Sequence, residues 1–152
     1  MKYKFTYDSP IGTLWIGEEN NKITHITIHP IEGLSKLTPT IQQAIEELDE
    51  YFKGQRQNFT FPIHYDDTPF RNKCYHALKT IPYGNTISYN DLAILINQPT
   101  ACRAVGNAIH HNPLLIVIPC HRIIRKNGDI GGFGAGINIK KQLLEIERRN
   151  KI

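Results

Sequence analysis

The hydrophobic pattern of this chain changes period once. Up to His29 the pattern is mostly that of strands, and beyond about residue 40 it is mostly that of helices. Strand period followed by helix period predicts an α+β protein, because the two kinds of element occupy separate stretches of chain. Lys2–Tyr7 alternates, Asp8-Ser9-Pro10 turns, and Gly12–Gly17 continues as a second strand. Glu18–Asn21 turns again, and Lys22–His29 alternates through Ile23, Ile26 and Ile28. The three strands read as an antiparallel meander. Ile41, Ala44, Ile45, Leu48 and Phe52 then mark a helix that Gly54 closes.

The sign of the charge changes as well. Residues 1–69 carry six basic and ten acidic side chains, and residues 70–152 carry twelve and four. This predicts a boundary in the Tyr65–Pro69 turn, with 1–69 a scaffold domain and 70–152 a basic domain suited to nucleic acid or another anion. A solvated basic face that binds nothing fits the charge equally well. With 152 residues, 40% apolar and 21% charged, the chain can bury a core and is not a disordered one. The longest apolar run, Leu114–Pro119, is too short to span a bilayer, and the N-terminus lacks a signal peptide's apolar stretch. Three cysteines make no disulfide framework, so a cytoplasmic chain with reduced thiols is expected.

The basic half reads as mostly helical. Pro69–Thr80 is a helix with Phe70, Cys74, Ala77 and Leu78 on one face, followed by a turn over Ile81–Asn85. Ser88-Tyr89-Asn90-Asp91 has the form of a capping box and opens a short helix carrying Leu92, Ala93, Leu95 and Ile96. Gln98-Pro99-Thr100 breaks the chain, and Thr100 is placed to cap a second helix over 101–111. Two short helices on a tight turn form a candidate helix-turn-helix, a weak signal alone. The second carries Arg103, Ala104 and Gly106; small residues permit close approach, and a lone Arg is seldom buried without a partner. Asn138–Asn150 closes the chain as a helix.

Leu114–Ile118 reads as a short apolar strand that Pro119 stops, leaving Cys120 at its exit. His121, Arg122 and Arg125 are the neighbours expected to lower the thiol pKa. His121 offers a general base, and Glu147, or else Glu145, an orienting carboxylate. Adjacent residues of an extended segment face opposite ways, so the proton path from Cys120 to His121 requires a bridging water or a backbone turn. Cys74 and Cys102 lack a base beside them and read as packing residues. His25, His29 and His64, or Cys120 with His121, His110 and His111, lack the ligand spacing of zinc motifs, so no metal is expected. Gly131–Gly136 is a loop of little side-chain bulk, with Phe133 as a candidate wall against a planar ligand and no Walker sequence.

These blocks resemble, in order and in register, the O6-alkylguanine-DNA alkyltransferases. They are Ile81-Pro82-Tyr83-Gly84, Ser88-Tyr89, Arg103-Ala104-Val105-Gly106, Asn112-Pro113, Ile118-Pro119-Cys120-His121-Arg122, and Leu143-Leu144 with Glu147. The resemblance is strong over 70–147 and looser over 1–69. It implies minor-groove binding of double-stranded DNA, extrusion of the damaged base, and one-time transfer of an alkyl group from guanine O6 to Cys120. It further implies that His121 activates the thiol through water, oriented by Glu147, and that Asn112 braces the turn before the nucleophile. Arg103 would fill the gap left by the extruded base, Tyr89 would turn the nucleotide out, and Lys140 would lie near the pocket. Ala104, Gly106, Arg122, Ile123, Phe133 and Gly134 complete the expected DNA and substrate contacts. Where many relatives carry Tyr and then a hydroxyl or bulkier residue, this chain has Phe133-Gly134-Ala135, which leaves Gly134 only its N–H to offer O6. No cofactor is expected, and the chain is expected to act as a monomer on DNA in the cytoplasm or nucleoid. Two other classes compete: a sensor of alkylated DNA, which in this family lacks the cysteine, and a Cys-His hydrolase, for which no acyl pocket is visible.

Overall fold

The computed structural model describes residues 1–151. The chain divides into two compact units, one of Met1–Tyr65 with Pro113–Leu115, the other of Asp66–Asn112 with Ile116–Ile152.

In the first unit β1 (Lys2–Ser9), β2 (Gly12–Glu19) and β3 (Lys22–Thr27) form the antiparallel meander, in the order β3-β2-β1-β4. The fourth strand, β4 (Leu34–Ser35), pairs parallel with β1 and has no periodic signal because it spans two residues. Alternation buries Leu14, Ile16, Ile23 and Ile26, and α1 (Pro39–Phe52) covers them with Ile41, Ala44, Leu48 and Tyr51. Thr38 starts α1 by accepting the Ile41 N–H at 3.1 Å, with Pro39 at the first helical position. The same hydroxyl donates to the buried carboxylate of Glu18.

The second unit holds α2 (Pro69–Leu78), α3 (Tyr89–Leu95), α4 (Cys102–His110) and α5 (Ile137–Asn150), with a two-stranded parallel ribbon of β5 (Ile87–Ser88) and β6 (Ile123–Ile124). Ser88 and Asp91 form the reciprocal capping box at α3. Thr100 does not cap α4. Ala101 occupies the cap position at φ −90°, ψ 25°, and its N–H closes a turn onto Gln98 O. That is not the extended backbone that lets a side chain fold over the helix start. Tyr75 ties α2 to α4 by donating to Ala108 O at 3.0 Å.

The expected strand over Leu114–Ile118 does not form. Leu114 makes one parallel bridge with Ile26, Leu115 N–H donates to Ile26 O at 3.0 Å, and the chain then reverses at Ile116, whose φ is +73°. A β-branched residue in the left-handed region costs about 1–3 kcal/mol and cannot sit in a ladder. Periodicity sees only the apolar run, not this reversal. Cys120 is therefore not at a strand exit: Cys120–Arg122 is a single 3-10 turn running into β6.

Candidate active site

The 3-10 turn resolves the problem of facing directions. Its tight winding lets Cys120 and His121 serve one site, which an extended segment would not do. Cys120 is buried, 1% exposed. Asn112, just beyond α4, donates through Nδ2 to Cys120 Sγ at 2.9 Å and to Ile118 O at 2.8 Å, so one amide fixes both the sulfur and the approach to it.

Behind the thiol lies a buried charged group. Glu147 on α5 accepts from His121 Nε2 at 2.6 Å through Oε2. Arg122 donates to the same carboxylate on both sides, Nε to Oε1 at 2.8 Å and Nη2 to Oε2 at 3.1 Å. Its third arm, Nη1, reaches Ile81 O at 2.7 Å, and the guanidinium lies 5.8 Å from the centre of the Tyr83 ring. The Gly84 N–H donates to Glu147 Oε1 at 3.2 Å. Burial raises the Glu147 carboxyl, but the hydrogen bonds from His121 and Arg122 and the charge of Arg122 outweigh it and hold the group well below the usual range. An ionised carboxylate only accepts, so His121 Nε2 carries the hydrogen. Burial lowers the His121 pKa. The neutral ring then keeps its lone pair on Nδ1, the one buried side-chain nitrogen or oxygen among the described residues that makes no hydrogen bond. Of the two carboxylates expected as orienting acid, Glu147 takes this place; Glu145 is exposed and pairs with Arg148.

The thiol is not depressed by the neighbours the sequence suggests. Burial pushes Cys120 up to about 11, against the pull of the Asn112 hydrogen bond and the Lys140 charge. His121 is neutral and Arg122 is committed to Glu147, so neither supplies positive charge to the sulfur. Lys140 does. Its side chain is fully buried on α5, with Nζ donating to Ile123 O at 2.5 Å and Gly132 O at 3.2 Å, and burial lowers its pKa to about 8. Two expected contact residues are relocated. Arg122 and Ile123 are buried, one holding Glu147 and the other packed in the core, so neither side chain is presented to a ligand.

The remaining expected residues lie on α3, on α4 and in the glycine loop. Tyr89, half-buried at the start of α3, lies beside Gly106 of α4 and against Gly131, where an added Cβ would stand 3.3 Å from the phenol oxygen. Gly131 has φ +74°, so only glycine fits that approach without strain. Gly134 is exposed and lies against the end of α4, where an added Cβ would stand 3.4 Å from His110 O, while the Phe133 ring turns inward. Arg103 and Ala104 are exposed on α4, and Arg103 has no hydrogen bond or ion pair among the described residues. Sequence reasoning missed Gly84, Tyr83 and Ile81 as supports of Glu147 and Arg122. All lie in one block, Ile81–Gly84, whose chemistry is mostly backbone and therefore leaves no side-chain signature. Among the described residues no group of three or more His, Cys, Asp or Glu could hold a metal ion.

Known proteins match this chain along its length. Residues 69–149 match the DNA-binding domain of 6-O-methylguanine DNA methyltransferase, and residues 2–65 match its ribonuclease-like domain. The chain belongs to this methyltransferase family. The constitutive methylated-DNA–protein-cysteine methyltransferase of Bacillus subtilis is 40% identical over 97% of this chain and 96% of its own. The inducible enzyme of the same organism is 50% identical over 91% of this chain and 80% of its own. A crystal structure of Mycobacterium tuberculosis OGT in complex with DNA superposes with a TM-score of 0.91 at 37% identity, covering 97% of this chain and 94% of that one. No described helix is long and apolar enough to cross a membrane.

Proposed function

We propose that this methyltransferase repairs DNA by direct reversal, moving a methyl or other alkyl group from O6 of guanine to Cys120 once per molecule. The observation that carries the reading is the pair of buried contacts Asn112–Cys120 and His121–Glu147, with a hydrogen-bond-free imidazole nitrogen on the residue that follows the acceptor thiol. A thiol near 11 is protonated at neutral pH, so attack requires that its proton leave as the new bond forms. His121 Nδ1 accepts that proton through a bridging water, and Glu147 stabilises the imidazolium. The sulfur bonds to the alkyl carbon, the carbon–O6 bond breaks, and guanine gains a proton. The products are a thioether and intact guanine, with no cofactor consumed. Because the thioether does not reverse, each molecule acts once.

Residues 70–152 act as the DNA-binding and alkyl-acceptor domain, with 1–69 as its scaffold. The partner is double-stranded DNA carrying an alkylated base, bound by a monomer in the cytoplasm or nucleoid. The net positive charge of the C-terminal half supports phosphate contacts of little sequence preference. Arg103, exposed and unpaired on α4, enters the minor groove and fills the place of the extruded base. Ala104 and Gly106 allow α4 to approach the backbone closely. Tyr89 turns the nucleotide out and meets the base, and the Gly134 N–H lies towards O6. Extrusion costs about a few kcal/mol, less for a mispaired base, which favours lesions over normal pairs. Lys140 lends positive charge that stabilises the Cys120 sulfur as its proton departs.

Incubating the protein with DNA containing O6-methylguanine tests this. The peptide holding Cys120 gains about 14 Da, a methyl replacing a proton. Lesion binding with no added mass on that peptide would leave the sensor reading in its place.

A further inference from the structure

The sequence puts Arg122 next to the nucleophile, but the structure turns it away from the thiol and onto the carboxylate that holds His121. Its arrangement is unusually complete: one donor to each oxygen of Glu147, a third to Ile81 O, and the Tyr83 ring against its face. A surface carboxylate would orient a histidine without any of this. The consequence lies in the charge of the buried group. With Glu147 ionised and Arg122 protonated, the three side chains are neutral together only while His121 is neutral. A proton on His121 would leave one net positive charge in a buried site, which is costly. Take Arg122 away and the balance reverses. A Glu147 carboxylate at 2.6 Å from an imidazolium would then be the neutral pair, and His121 would hold its proton at rest.

We propose that Arg122 is a positioning residue that keeps His121 available as a base by neutralising Glu147 and occupying one acceptor position on each of its oxygens. The groups facing His121 are Glu147 and Lys140 from α5, and Cys120 and Arg122 from its own turn. Only Glu147 favours the charged ring; Lys140 and Arg122 both oppose it. Of these two, Lys140 is itself close to losing its proton near neutral pH, so Arg122 is the permanent counter-charge. Arg also differs from Lys here in geometry, since a single ammonium cannot bond both oxygens and Ile81 O in one plane.

The kinetic part of this inference rests on the alkyl-transfer reading, but its central claim can be read without any substrate. In the full chain with nitrogen-15-labelled histidine, NMR reports the protonation and tautomer of His121 directly. The parent shows the neutral ring with hydrogen on Nε2 at neutral pH, titrating below 6.5. Arg122→Gln, which keeps hydrogen-bond donors and removes the charge, moves that midpoint up by about one pH unit or more. Arg122→Lys, which keeps the charge, restores a midpoint close to the parent's. A thermal melt confirms that each variant is folded, and Arg122→Met replaces the Gln variant if that one is not. An imidazolium in the parent near pH 7, or one midpoint shared by the parent and the uncharged variant, overturns the proposal. In single-turnover alkyl transfer, the acid limb of the rate against pH moves with the NMR midpoint, whereas loss of packing alone lowers the rate equally at every pH. A shifted midpoint in a protein that never takes up an alkyl group supports the role of Arg122 and sinks the alkyl-transfer reading instead.

Discussion

Both units bury polar side chains, and they use them in opposite ways. In the first unit buried carboxylates complete the backbone. Glu18 takes the hydroxyl of the Thr38 cap, and Glu47 takes the Thr60 N–H and hydroxyl at 2.7 Å each. In the second unit backbone carbonyls hold the side chains. Ile81 O receives Arg122, and Ile123 O and Gly132 O receive Lys140. A carboxylate whose partners are a helix cap or a loop threonine can be replaced at a cost in stability alone. One that holds His121 and Arg122 sets the protonation state of the proposed base, so its replacement is expected to alter the chemistry. Burial of a charge by itself therefore says nothing about function; the direction of its hydrogen bonds does.

The largest expected effect tests that contrast within one pair of substitutions. Glu147→Gln leaves Arg122 buried without its counter-charge and removes the partner of an imidazolium. Alkyl transfer should fall about a hundredfold or more, and stability by about 3 kcal/mol. Glu47→Gln, in the other unit, should cost about 1–2 kcal/mol and leave the single-turnover rate unchanged. Urea unfolding and quenched alkyl transfer measure the two quantities. Equal loss of rate in both variants would erase the distinction between the units.

Acid should act on the second unit through the same residues. The folded His121 pKa lies below its ordinary 6.5, and that of Glu147 lies below its ordinary 4.5. In both cases the unfolded chain binds more protons in the window below the ordinary value. The stability that these two groups contribute is therefore fully present above 6.5. It declines as the pH falls below 6.5 through His121, and again below 4.5 through Glu147. With the neutral ring as the proposed base, alkyl transfer is expected to decline on the first of these limbs. Denaturant midpoints and single-turnover rates across that range give the profile, and a rate that stays flat while stability falls would remove His121 from the proton path.

Arg103→Ala gives a smaller and more selective effect. The side chain is exposed and unpaired, so stability should change by no more than about 0.5 kcal/mol. Alkyl transfer should fall about tenfold, more than the affinity for undamaged duplex, because extrusion of the base and not general phosphate attraction loses its support. Filter binding alongside transfer rates separates the two. Equal activity would make Arg103 an ordinary surface residue.

The sequence discloses these regions unevenly, for physical reasons. Strand alternation, the α1 face and the Ser88–Asp91 box are local patterns and all form, although Asp8-Ser9 and Glu18-Glu19, read as turns, extend β1 and β2, and β3 ends at Thr27 before the expected His29. Cys120, His121 and Glu147 are chemically distinctive and come together as side chains. What could not be read is where the backbone turns against propensity. Ile116 adopts a left-handed conformation inside an apolar run, and Thr100 loses α4 to a turn at Ala101. The target of a long side chain is equally hidden. Arg122 and Lys140 look like surface cations in a basic half, yet each reaches inward to carbonyls that carry no sequence mark. The charge split of the two halves thus overstates the positive surface, since two of its cations are buried.

The mildest substitution probes the first unit alone. Thr38 is buried, accepts the Ile41 N–H at the start of α1, and donates to Glu18. Thr38→Ala removes the cap and leaves Glu18 without that donor. The cap should cost about 1 kcal/mol, and the orphaned carboxylate about another 1 kcal/mol at most, since it can relax towards water. Nothing in the thiol's surroundings changes, because Asn112, Lys140, His121 and Glu147 all belong to the other unit. The expected outcome is a lower unfolding midpoint with an unaltered alkyl-transfer rate under conditions where the protein stays folded. A slowed transfer in fully folded Thr38→Ala would mean that the first unit shapes the chemistry as well as supporting it, and the separation of roles drawn from the two sets of buried groups would have to be given up.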